Sequence, residues 1–221
     1  MSHHHHDGHD HEHDEARNGG HSHDHDPADR GIEASLFKQI HIDKIRSLNE
    51  HEEGAGSKIF KSWDKRFARE PYLESDADQQ LIIFVPFTGM VKLKSILILG
   101  GPGGMMPKTL KVFTNREDVD FDNVDSIQPL QEWELIDTTA LALNDTGVPE
   151  YPTRMSKFTS VRNISLYISS NYGDDITRIS YIGFKGEWTE FKKDPIITIY
   201  EAAPNPTDHV KLKDRVESMI Q

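Results

Sequence analysis

From about residue 80 the chain alternates between short apolar runs and polar turns. Residues 81–85 form a continuous apolar run, which predicts a buried strand that Pro86 limits. Residues 91–99 begin as alternation and end fully apolar, as a sandwich strand does when its far end is covered on both faces. Residues 109–114 and 133–136 alternate, and residues 161–169 alternate strictly through Ile164, Leu166 and Ile168. Residues 177–184 put Ile179, Tyr181 and Gly183 on one face, and residues 196–200 form a last run. Turn clusters at 100–104, 115–125, 144–152 and 171–175 separate these runs, with no ten-residue helices between them. Seven or eight strands with such connections predict an all-β antiparallel jelly-roll sandwich and argue against a βαβ fold.

The flanks are less regular. Residues 32–48 fit a short helix through Ile42, Ile45 and Leu48 as well as a strand through Leu36, Ile40 and Ile42, and residues 49–57 read as a loop. At the far end, Leu212, Val216, Met219 and Ile220 have helical spacing, which suits a short amphipathic helix or a tail that orders on contact. Residues 1–30 hold ten of the thirteen histidines and almost no apolar side chains, so they are expected to be disordered. The expected organisation is a tail over 1–30, a domain over 31–207, and a C-terminal tail or short helix over 208–221.

Composition narrows the chemistry. The net charge is −12, of which residues 1–30 carry −6 (two arginines against eight carboxylates) and the remaining 191 residues carry −6 (23 basic, 29 acidic). Neither part has the basic excess that phosphate-backbone binding requires, so nucleic acid is not an expected partner. No apolar run reaches the roughly 20 residues of a membrane span, and the first residues lack the apolar core of a secretory signal. There is no cysteine, which excludes disulfides, thiolate metal sites and thiol nucleophiles and fits a cytoplasmic or nuclear setting.

Four features invite a chemical reading. The tail histidines His3, His4, His5, His6, His9, His11, His13, His21, His23 and His25 are interleaved with carboxylates and offer ligands for Zn²⁺, Ni²⁺ or Cu²⁺; the plainer reading is solvated low complexity with adventitious metal affinity. The glycine-rich stretch 101–109 has Pro107 where a phosphate loop needs glycine before its lysine, and a strand pattern where a helix should follow, so it reads as a strand connection. Glu74, Asp76 and Asp78 alternate as calcium ligands do, but Leu81 and Phe87 stand where an EF-hand needs glycine and glutamate, and turn capping is the simpler role. Outside the tail only His41, His51 and His209 remain, none in a nucleophile context, so no catalytic residues are expected.

Several longer segments carry a resemblance. They are 72–83, 85–88 with 91–93, Pro107 and Lys108 with 110–113, Lys157 and Phe158, 177–189 and 200–209. Together they resemble the PITH domain, the proteasome-interacting module named from the C-terminal part of a thioredoxin-like protein. The likeness spans roughly residues 35–210 and is of the stand-alone type, with a His/Gly-rich N-terminus in place of a thioredoxin domain. It implies a galactose-binding-domain-like jelly roll, no catalytic residues and no cofactor. It also implies association with the 26S proteasome regulatory particle. The chain is then expected to be an adaptor or regulator, a monomer when free. The expected contacts are Asp76 and Asp78 in one loop, Lys185, Glu187 and Trp188 in the 184–190 segment, and Asn205, Asp208 and His209 in the C-terminal stretch. For Trp188 the competing role is a core or sheet-end residue. Two other functional classes remain open on the residues alone: a lectin-like binder stacking a sugar on Trp63 or Trp188, and metal handling through the tail.

Overall fold

The computed structural model describes residues 30–138 and 147–191. The tail histidines, the 196–200 run, the candidate C-terminal helix, Asn205, Asp208 and His209 lie outside the described residues. The architecture is an all-β antiparallel sandwich of the jelly-roll type. Its described strands are β1 (Arg46–Leu48), β2 (Leu73–Glu74), β3 (Leu81–Gly100), β4 (Pro107–Thr114), β5 (Gln131–Glu134), β6 (Glu150–Pro152), β7 (Val161–Asn171) and β8 (Arg178–Thr189). Two four-residue helices, α1 (Arg30–Glu33) and α2 (Ala55–Lys58), and several 3-10 turns join them.

The 20-residue β3 organises everything else. Its first half pairs with β1 and β7, and β7 pairs onward with β4, which pairs with β5. Its second half pairs with β8 and β6, and β8 pairs with β2. One strand therefore runs through both layers, β1·β3·β7·β4·β5 and β2·β8·β3·β6. The expected break at Pro86 is a crossing point instead of an end. The β7 register slips between Pro86 and Val91, where β3 leaves β7 and joins β8. A proline is tolerated there because the ladder changes partner, and its carbonyl still accepts the His41 N–H at 2.9 Å.

Bulges set which face each side chain takes. Leu81, Ile83, Val85, Phe87, Val91 and Leu93 of β3 all enter the main core, and a register shift between Leu93 and Ser95 then moves Ile96 and Ile98 inward. Lys94 absorbs the slip, which is why the apolar pattern thickens after it. Leu97 and Leu99 now face out, where they cluster with Val148 and Tyr181 beneath Trp63 and Phe67. A second shift, between Leu99 and Gly100, breaks the single face expected for β8: Ile179, Ile182 and Phe184 face the core while Tyr181 faces the outer cluster. Between Ile164 and Ile168 of β7 no shift intervenes, and Ile164, Leu166 and Ile168 are all core, as their alternation predicts.

The ambiguous 32–48 stretch is neither one helix nor one strand. It holds 3-10 turns at Phe37–Gln39 and Ile42–Lys44 followed by β1, and it lays Leu36 and Ile40 into the core. The 49–57 loop contains α2, whose Gly56 is required because a β-carbon there would run into Ser47 Oγ. The glycine-rich turn after β3 leads into β4 and not into a long helix, as a strand connection should.

Candidate interaction surface

The outer face of the β2·β8·β3·β6 layer gathers two of the expected contact residues. Lys185 and Glu187 alternate along β8 and project from the side opposite the core, across from Ser95 and Lys92. Lys185 Nζ pairs with Glu150 Oε2 at 2.6 Å, and Glu150 Oε1 accepts the Ser95 hydroxyl at 2.5 Å. Glu187 lies between two lysines, with Lys94 Nζ at 2.7 Å and Lys92 Nζ at 3.8 Å. The hydrogen bond from Lys94, helped by the charge of Lys92, holds the Glu187 carboxyl below its ordinary range.

Aromatic side chains border this charged strip. Lys185 Nζ stands 5.1 Å from the centre of the Trp63 ring, and the Arg66 guanidinium covers both Trp63 and Phe67 at 4.4 and 4.5 Å. Arg66 is fixed in turn by donating Nη1 to the Trp63 carbonyl at 2.8 Å. Below lies Tyr181, whose hydroxyl pKa burial pushes up to about 12. The result is a surface of fixed alternating charge over a sulfur-free aromatic and aliphatic base. Arg66 and Glu150 were not among the expected contacts, and Trp63 was expected only as a sugar-stacking residue, because the three come from segments distant in sequence with no pattern linking them.

Trp188 is not part of this strip. It pairs across from Val91, and Gly186 pairs across from Leu93, so both share the core-facing side of β8. Its indole lies against Gly89, where a β-carbon would collide with the ring nitrogen. The residue is 38% exposed near the end of β8, partly covered by the facing stretch of β3 around Gly89.

The Asp76/Asp78 loop is held together by its own side chains. Asn49, at φ 67°, donates Nδ2 to Asp78 Oδ1 (2.9 Å) and to the Gln80 carbonyl (2.7 Å), while its Oδ1 accepts the Ala77 N–H (3.0 Å). Asp78 Oδ1 also accepts the Gln80 N–H at 2.9 Å, a turn-capping bond. Asp76 Oδ1 lies 2.7 Å from His51 Nδ1, and this hydrogen bond raises the imidazole pKa above its ordinary value, with the charge of Asp76 adding to it. Among the described residues no group of three or more His, Asp or Glu side chains is placed to hold a metal ion.

Comparison with known proteins settles the family. The model of the PITH domain matches residues 26–204. The chain belongs to the PITH domain family. It is 40% identical over 201 residues to PITH domain-containing protein 1 of Xenopus laevis, covering 89% of this chain and 93% of the relative. It is 39% identical over 184 residues to the Homo sapiens protein of that name, covering 83% and 84%. Among solved structures, the family 32 CBM of C. perfringens NanJ, in complex with galactose, aligns at a TM-score of 0.48 and 9% identity over 68% of this chain and 97% of that one. The CBM32-1 and CBM32-2 domains of Clostridium perfringens ZmpB align at 0.49 and 14% identity over 75% and 40%. The PITH match takes in both Lys185 and Glu187 on the outer strip and Trp188 at the sheet end.

Proposed function

We propose that this PITH-family chain is a non-enzymatic binding module that associates with the 26S proteasome regulatory particle as an adaptor or regulator, in the cytoplasm and nucleus. The observation that carries the reading is family membership over nearly the whole chain, in a family named for proteasome interaction. The outer strip of β8 supports it by supplying a recognition chemistry: Lys185, Glu187, Lys94 and Glu150 are fixed in alternating sign beside Trp63 and Arg66. Such a pattern selects a partner by charge register around an aromatic anchor. Asn205, Asp208 and His209 of the C-terminal stretch are proposed as further contacts.

Affinity purification of the full chain from cells, with quantitative identification of what co-elutes, tests this. Regulatory-particle subunits should be enriched, and removal of residues 208–221 should lower their recovery while leaving the thermal midpoint nearly unchanged. Recovery of those subunits at the level of an unrelated control protein would end the reading.

A further inference from the structure

A cleft of about 430 Å³ lies between the turn preceding β2 and the glycine turn following β3. Its volume falls in the range of small-ligand sites, and it lies apart from the outer strip of charges described above. Two arginines from distant parts of the chain line it, Arg69 and Arg178. Arg178 stacks 4.1 Å over the Tyr72 ring and donates Nε and Nη2 to Glu74 Oε2 at 2.7 and 2.6 Å. Arg69 donates Nη1 to the Gly100 carbonyl at 2.9 Å. Each guanidinium carries five N–H donors, so these bonds fix its plane without using all it can give.

The walls are held in place from behind. Lys61 is 7% exposed, and its Nζ donates to the Ala68 carbonyl at 2.9 Å and the Ser180 carbonyl at 2.8 Å. It thereby ties the segment carrying Arg69 to the start of β8. On the opposite side, a β-carbon at Gly101 would meet Arg178 Cβ at 2.6 Å, so glycine lets that turn close over the arginine. Thr138 completes the lining, with its hydroxyl on Met106 Sδ at 3.2 Å.

Charge indicates the ligand. Of the charged side chains that line the cleft, Arg69 and Arg178 are positive and Glu70 is negative, leaving +1, while behind the wall Glu74 pairs with Arg178 and Lys61 is held on two carbonyls. This stands in a sequence whose residues 31–221 hold 29 acids against 23 bases. A single negative charge would balance the cleft, and a planar carboxylate matches the edge of a guanidinium. We infer that this cleft binds the carboxylate of a small monoanion, either a free organic acid or the C-terminal carboxylate of a peptide. The inference stands independently of the proteasome reading.

Calorimetry on the full chain tests it with four probes: N-acetyl-leucine, N-acetyl-leucine amide, the peptide Gly-Gly-Leu with a free C-terminus, and inorganic phosphate. Both acids should bind, and the amide should bind at least about tenfold more weakly. Arg69→Gln should weaken the acids by at least about tenfold, Arg69→Lys by less, and Arg116→Gln, on a distant turn, not at all. Because Arg69 is exposed, its variants should keep the thermal midpoint of the parent chain. Tighter binding of the peptide than of N-acetyl-leucine assigns the site to chain termini, and equal binding assigns it to free acids. The inference is overturned if acid and amide bind alike, if Arg69→Gln binds the acids unchanged, if phosphate binds more tightly than either acid, or if neither acid binds at about 10 mM, the weak end of measurable affinity.

Discussion

Replacing Trp188 with alanine separates two accounts of the most conspicuous residue in the 184–190 segment. On the core-facing side of β8, with its ring against Gly89, the indole is 38% exposed and so roughly six-tenths covered. A fully buried tryptophan costs ~3–5 kcal/mol when cut to alanine, so scaling by coverage gives about 2–3 kcal/mol here. With a urea m-value of ~2 kcal/mol/M, the unfolding midpoint should fall by about 1–1.5 M with no change in slope. Equilibrium urea denaturation followed by far-UV circular dichroism reads this directly. A shift worth less than about 0.5 kcal/mol, the size of an ordinary surface substitution, would refute the placement and restore Trp188 as a free surface anchor.

Three further expectations concern buried or paired groups. Tyr181 has its pKa pushed up to about 12 by burial, so the folded state favours the neutral phenol; stability is intact below the unfolded value near 10 and falls by roughly 2–3 kcal/mol as pH rises towards 12, a dependence that Tyr181→Phe should remove in chemical denaturation across that range. His51 should titrate by NMR above an ordinary imidazole, and Asp76→Asn should bring it down; the small stability it contributes is present at low pH and lost as pH rises through the raised value, and an unchanged titration in the variant would contradict the pairing. Lys61→Met leaves the Ala68 and Ser180 carbonyls without their donor and should destabilise by about 1–3 kcal/mol in urea, whereas an unchanged midpoint would mean that the donor is dispensable.

Much of the sandwich was legible from alternation alone, because β7 from Ile164 to Ile168 and β4 from Leu110 to Val112 keep their two-residue period and put Ile164, Leu166, Ile168, Leu110 and Val112 on the core side. The long β3 was not, since a proline inside a strand ordinarily marks an end and nothing local says that the ladder changes partner at that point. Strands β1, β2 and β6 have two or three residues each, too few for a period, and form because longer neighbours present a free edge. The candidate surface was half visible. Lys185 and Glu187 lie on one face because they are two residues apart, which sequence gives directly. That Trp188 lies on the other face follows from the same rule, but which face is the core depends on bulges at Lys94 and Ser180 that carry no clear signature. Trp63 and Arg66 join the surface only through tertiary folding, and so does the Arg69–Arg178 cleft.

Charge reversal on the outer strip tests the proposed recognition of the proteasome most directly. Glu187→Lys sets three ammonium groups together at an exposed position, where the loss of a surface pair costs little stability. Binding of purified 26S proteasome to the immobilised full chain, measured beside this variant at physiological salt, should show saturable association for the parent chain. The variant should be weakened by at least about tenfold. Absence of saturable binding by the parent chain would contradict the account, and equal binding by the variant would remove the β8 strip from it.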